Sequence, residues 1–183
     1  MSILAFKENL LGGGARPNQF RVGLFFPVQL SIPLGFTAGA RSEFLVEGAS
    51  LPGQTIGVTP LMYRGREVKL AGERRFDNWQ VTVINDGNFS IHSAVEQWMN
   101  GINNLRDNTG NLTAADYQTD LYVEQLDRNM AAGAAASIKS YLFKNAWPVS
   151  ISPIQLNFGD NDNIERFQVE FALDWFESSA VPL

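Results

Sequence analysis

Catalysis needs a nucleophile, a base or a ligand set held at short range, and few residues of this chain qualify. The single histidine, His92, is the first candidate, because imidazole changes charge near neutral pH. General-base or nucleophilic work would require a carboxylate or hydroxyl partner within hydrogen-bond reach. No motif around His92 supplies one, and it reads as a surface or cap residue. Asp160-Asn161-Asp162-Asn163 has the oxygen-rich composition of a calcium loop. However, Ile164 stands at the third ligand position, and the required glycine and distal glutamate are missing. It reads as a turn. Gly12–Gly14 is followed neither by Lys-Ser/Thr nor by a spaced third glycine entering a helix, so it makes no phosphate loop and no dinucleotide fingerprint. The 183 residues include no cysteine, which removes disulfides and thiolate zinc sites. The expectation is no catalytic residue, no cofactor and no metal.

Charge offers other chemistry. Arg64-Gly65-Arg66-Glu67-Val68-Lys69, with Arg74-Arg75 beyond it, is the one basic stretch, and arginines on a ribbon can neutralise phosphates. Against a nucleic-acid-binding module stands a sequence pI of about 4.9, since a basic footprint normally marks the whole domain. Glu67 and Glu73 also interrupt the stretch. Salt bridges across a subunit interface are the other explanation. Residues 1–75 hold nine Lys/Arg against five Asp/Glu, and residues 76–183 hold five against fourteen. Such polarity either orients head-to-tail contacts or is scattered surface charge.

These side chains have to be placed by a strand, a turn and a helix that the sequence spells out from Trp79 to Leu105. Trp79, Val81 and Val83 alternate with polar or outward residues, the period of a strand. Asn85-Asp86-Gly87-Asn88 supplies turn chemistry. Ile91, Ala94, Val95, Trp98, Ile102 and Leu105 then recur at steps of three and four, one stripe of an amphipathic helix over about 89–105. Asn88 or Ser90 can cap its start. Ile91, Val95, Trp98, Ile102 and Leu105 are its expected core residues, in the only long helix expected.

Elsewhere strands dominate. Phe20–Phe26, Phe44–Glu47, Tyr117–Leu126, Ser137–Lys144 and a longest strand over Phe167–Trp175 are expected, with Pro27–Ala40 and Asp107–Asp116 as loops. Pro148 and Pro153 frame an edge at Val149–Ile151, and Met130–Ala136 forms a long Ala-rich hairpin tip. Thr55–Lys69 reads as a projecting β-ribbon with a bend or bulge at Gly65. Met1–Arg16 reads as a flexible N-terminal arm, hinged by Gly12–Gly14. The fold class is mainly β (α+β): two packed antiparallel sheets forming a sandwich or barrel-like body, in a single domain over 1–183. The N-terminus lacks the features of a signal peptide, and no apolar run approaches a membrane span. Synthesis in a cytoplasm and no membrane insertion are expected.

Several segments together resemble the tail tube proteins of contractile-tailed bacteriophages, from Ala15-Arg16-Pro17-Asn18-Gln19-Phe20 to the end of the chain. The strongest are Ala49-Ser50-Leu51-Pro52-Gly53, Tyr63-Arg64-Gly65-Arg66 and Leu70-Ala71-Gly72-Glu73-Arg74. Trp79–Asp86, Trp98-Met99-Asn100-Gly101-Ile102-Asn103 and Gln125-Leu126-Asp127-Arg128-Asn129 extend the set. The resemblance implies a virion subunit that closes into hexameric rings. These stack into a hollow tube inside a sheath and around a tape-measure protein, between a baseplate and a tube terminator. DNA passes through the lumen without specific binding. Tubes of type VI secretion and tailocins share the fold, so a phage-derived injection device stays open. In such an assembly Arg16, Tyr63, Arg64, Gly65, Arg66, Lys69 and Arg74, on arm and ribbon, are the expected inter-subunit contacts. Asp120 and Glu124, and Glu170 and Asp174, sit at same-face spacings on two strands. They either line the bore and repel phosphates or form an ordinary solvated face.

Overall fold

Period-two burial marks the strands that carry the core. The computed structural model describes residues 2–10, 14–110, 113–127 and 137–180. Strand β5 (Trp79–Ile84) buries Trp79, Val81 and Val83. Its neighbour β8 (Arg166–Ala172) buries Phe167, Val169 and Phe171 on the same face, in the antiparallel register Trp79↔Phe171 and Val83↔Phe167. On the far side of β5 lies β2 (Val46–Ala49). A second antiparallel layer joins β1 (Phe20–Gly23), β6 (Thr119–Leu126) and β9 (Trp175–Ser178) to the first half of β7 (Ser137–Ile151). Strand β7 belongs to both layers, because Trp147–Ile151 pairs with β8. A strand that changes sheets makes the corner of a sandwich. The hydrogen-bonded order β1-β6-β7-β8-β5-β2 is open at both ends, so the body is a sandwich and not a closed barrel. Between the layers, the rings of Trp79 and Phe143 stack at 4.3 Å.

Helix α3 (Ser90–Ile102) covers the core with Ile91, Ala94, Val95 and Trp98. Trp98 is fully buried, lies against Phe26 and Phe171, and donates its indole N–H to the Tyr117 carbonyl at 2.7 Å. Ile102 packs at the margin of the core, but Leu105 is 93% exposed and is not a core residue. The helix ends first: Asn103 turns extended at φ −145° and bridges to Gly110, and the Asn100 side chain accepts from the Leu105 N–H. The helix start also differs from expectation. Neither Asn88 nor Ser90 caps it; Phe89 stands at the cap in left-handed conformation without a side-chain bond. Asp86 does the work from outside, accepting the Ser90 N–H and Oγ–H at 2.7 Å each and the Arg41 guanidinium at 2.5 Å. Burial pushes the Asp86 carboxyl up, but the Ser90 and Arg41 hydrogen bonds outweigh it and hold the group below its ordinary value.

Four further helices or strands depart from the sequence reading. Helix α2 (Gly35–Leu45) occupies the second part of the expected loop over Pro27–Ala40 and the first half of the expected strand Phe44–Glu47, whose second half opens β2. It carries no clear apolar stripe, with Phe36 92% and Phe44 83% exposed, and its glycines are contact points rather than breaks. A Cβ on Gly39 would meet the Leu24 carbonyl at 2.9 Å, while buried Ser42 accepts the Leu24 N–H at 3.0 Å. A short helix α4 (Ala114–Tyr117) closes the polar loop and presents the carbonyl that holds Trp98. Within the expected arm, Ile3–Asn9 forms helix α1, capped by Ser2, with no buried residue. The last expected strand splits at Leu173–Asp174 into β8 and β9, leaving β7, at 15 residues, the longest. Val149–Ile151 is the expected edge, pairing with β8 alone. Gly12 and Gly13 of the expected hinge and the Ala-rich tip Met130–Ala136 lie outside the described residues; Gly14 is left-handed at φ 83°.

Two measurements test this packing. Trp98→Ala removes the side chain that joins α3 to β8, Phe26 and α4 and costs about 3–5 kcal/mol in equilibrium unfolding. Asp86→Asn costs about 1 kcal/mol at pH 7 by removing charge-assisted hydrogen bonds. Because the folded-state pKa is lowered, that stabilisation is complete above the ordinary value of 3.8 and is lost as pH falls below it. Urea titrations of wild type and variant therefore converge in acid.

Candidate functional site

The ribbon is a hairpin of β3 (Gln54–Tyr63) and β4 (Arg66–Phe76), longer than expected and paired only with itself. Gly65 lies at the tip rather than at a bend: Arg64 at φ 47° and Gly65 at φ 80° form the two-residue turn, which needs left-handed backbone at both positions. The bulge falls between Ile56 and Val58. Residues opposed across a ladder share a face. One face therefore carries Thr59, Leu61 and Tyr63 with Leu70, Val68 and Arg66, and the other Val58, Pro60 and Met62 with Ala71, Lys69 and Glu67. Leu61, Val68 and Leu70 are about half exposed, and the Arg64 guanidinium lies 5.4 Å from the centre of the Tyr63 ring. Among the described residues, the ion pairs engage Arg21, Arg41, His92, Lys144 and Arg166, and none engages Arg64, Arg66, Lys69 or Arg74. Arg16 lies at the root of the N-terminal segment, where its carbonyl accepts the Gln125 amide.

The four singled-out carboxylates do not share one surface. Leu121 and Val123 turn inward on β6, so Asp120, Tyr122 and Glu124 face out. Glu124 pairs with Arg21 at 2.6 Å and Asp120 with Lys144 at 2.7 Å, a hydrogen bond that raises the Lys144 pKa. Asn145 joins Asp120 to Asp174 through its backbone and side-chain N–H groups. Between these pairs, burial and a hydrogen bond to Glu43 push the Tyr122 phenol up to about 12. Glu170 lies on the outer face of the other sheet, accepting from Asn78 and Ser150. Three of the four thus gather on one layer and the fourth on the opposite one. Sequence spacing showed which residues alternate but not which sheet each strand joins.

His92 is a packing residue. Its ring meets Phe167 edge-on at 4.9 Å, and Nδ1 lies 3.6 Å from Glu96. In the 160–163 turn, Asp160 accepts from the Asn163 amide. Among the described residues no three metal-binding side chains converge, and no helix is long and apolar enough to cross a membrane.

The fold is similar to chains solved in contractile assemblies. The fold resembles a chain of the anti-feeding prophage tube-terminating cap, with TM-score 0.63 and 14% identity, covering 90% of this chain and 90% of that one. It also resembles a chain of the PVC sheath–tube complex in the extended state, from an extracellular contractile injection system, with TM-score 0.59, 12% identity and 99% coverage of both. The class is a mainly β, open-sandwich fold shared with those chains. Residues 15–178 match the phage tail tube protein family, and the chain belongs to that family. It is 27% identical to tail tube protein gp19 of Enterobacteria phage T4 over 166 residues, 91% of this chain and 93% of that protein. To the tail tube protein of Serratia phage KSP90 it is 26% identical over 160 residues, 85% and 84% of the two chains. As a phage tail tube protein it is a structural component of the virion.

Proposed function

We propose that this chain is the repeating subunit of the inner tube of a contractile phage tail. Copies close into hexameric rings, and rings stack head to tail into a hollow conduit for DNA ejection. The observation that carries this reading is the ribbon: a two-stranded hairpin is marginal alone, and this one holds an apolar face and unpaired cations away from its own core. A neighbouring copy supplies what the ribbon lacks, with Tyr63, Arg64, Gly65, Arg66, Lys69 and Arg74 as contacts and Arg16 at the root of a second one. Heterologous contacts of this kind generate rings and stacks. A sheath outside, a tape-measure protein inside, and a baseplate and terminator at the ends complete the assembly. The cap and sheath–tube proteins of similar fold support the terminal and lateral partners. They equally support the reading of an injection-device tube. A nucleic-acid-binding ribbon is disfavoured, because its exposed centre is aliphatic and phosphate recognition needs cations there. A structural role requires no enzyme chemistry.

The outer face with Asp120, Glu124 and Asp174 lines the bore, where fixed negative charge keeps DNA phosphates from adhering. Glu170, on the opposite layer, faces away from it.

Negative-stain electron microscopy over a concentration series tests the assembly: rings or hollow tubes are expected, with baseplates added as templates if the free chain stays monomeric. Monomers under both conditions, together with a salt-dependent shift of DNA mobility, would transfer the function to nucleic-acid binding. In assembled tails, reversing Asp120, Glu124 and Asp174 to lysine slows DNA release about tenfold, and Glu170→Lys leaves it unchanged. Equal release from both variants removes the bore assignment.

A further inference from the structure

The ribbon's chemistry has a complement at the other end of the molecule. Residues 152–165 join β7 to β8, and three of their apolar side chains stand in solvent: Leu156 at 80%, Ile164 at 62% and Phe158 fully exposed. With Ile154 they line an open hollow of about 680 Å³ that Asp160 and Glu165 border. This stretch holds three carboxylates, Asp160, Asp162 and Glu165, and no cation. Asp160 and Glu165 bond only neutral amides, from Asn163 and Asn85, and Arg166, the one cation lining the hollow, is already paired with Glu47. The ribbon is the reverse, with five Lys/Arg against two Asp/Glu over residues 54–76 and Leu61, Val68 and Leu70 exposed.

Strand register sets where the two surfaces lie. Both ribbon strands leave the body at the Trp79 end of β5, since β2 pairs Ala49 with Val81 before running into β3, and β4 ends at Phe76. The hollow lies toward the Ile84 end, where Ile84 is in register with Arg166; past Ile151, in register with Val169, the chain runs on toward that end, the Ser152 N–H donating to the Gln168 carbonyl. The ends are about 20 Å apart along the sheet. Resting on the tube reading, we infer that the ribbon of one copy docks into the 152–165 hollow of the next. Leu61, Val68 and Leu70 then cover Leu156, Phe158 and Ile164, and Arg66, on the same face, and Arg64 at the tip face Asp160 and Asp162. Each copy gives a ribbon at one end and receives one at the other, so the contact does not close on itself and propagates. The apolar groove beside α2, around Val28 and Phe36, is a poorer acceptor. Its only charged residue, Glu43, already receives the Tyr122 hydroxyl.

The chain has no cysteine, which permits a direct test. Copies carrying Val68→Cys are mixed with copies carrying Phe158→Cys under assembly conditions and oxidised. A disulfide forms only where Cα atoms come within about 7 Å, so a covalent dimer of the two variants is expected. Val68→Cys mixed with Leu105→Cys is the control and gives none. In parallel, Arg64→Glu/Arg66→Glu and Asp160→Lys/Asp162→Lys each reduce tube mass at least tenfold. The chain carrying both sets assembles again, which shows that the single sets were folded. Tubes that form normally with either set alone, or cross-linking no greater than in the control, would overturn the docking while leaving the tube reading intact. Failure of wild type to assemble even on baseplates removes both.

Discussion

The rest of the structure depends on where Trp79 sits. Its ring stacks on Phe143 and touches Phe171, so one side chain joins the inner faces of both layers. Its indole N–H donates to the Ser50 carbonyl at 2.8 Å, which fixes the chain between β2 and the ribbon. Phe76, at the other root of the ribbon, meets Phe176 of β9 edge-on at 5.2 Å. Aromatic contacts of this kind contribute about 0.5–1.5 kcal/mol each beyond area burial. They also convert core packing into direction, because the ribbon leaves the body from a point the core determines. Strand β7 completes the frame by turning from one layer into the other, which lets the seven-stranded body bury two faces without closing into a barrel.

In the proposed reading, function follows from that frame through surfaces. His92, the one side chain suited to proton transfer, is used as an aromatic wedge against Phe167. The carboxylates on the outer face of β6 are restrained by Arg21 and Lys144, giving that face an ordered charge pattern rather than a loose acidic cloud. The ribbon cations have no such restraint. Family membership over residues 15–178 agrees with a molecule whose chemistry is recognition of other subunits.

Much of this was legible in the residues. Alternation at Trp79–Val83 and Phe167–Phe171 identified the two central strands because both are half-buried and their faces differ sharply. The helical stripe from Ile91 to Ile102 was visible for the same reason. Leu105 was misleading because periodicity does not register a helix end set by Asn103 and the bridge to Gly110. Helix α2 was hidden: its exposed Phe36 and Phe44 erase the stripe, and Gly39, which permits close approach to Leu24, looks like a loop signal. The ribbon was recognisable, but its turn was not, since Arg64-Gly65 is an unusual pair for two left-handed residues. Which sheet face each carboxylate occupies depends on β7 crossing between layers, a long-range fact that spacing along one strand does not contain.

The ribbon's self-paired state has a kinetic corollary. A hairpin without a third strand or a covering partner holds its shape weakly, so the first two copies to meet must order it at the expense of their contact energy. A copy arriving at a growing end meets neighbours already ordered and bears less of that cost. Under the proposed tube reading, association is then nucleation-limited, and a lag before spontaneous polymerisation protects a pool of free subunits until a seed fixes where, and in which direction, growth begins.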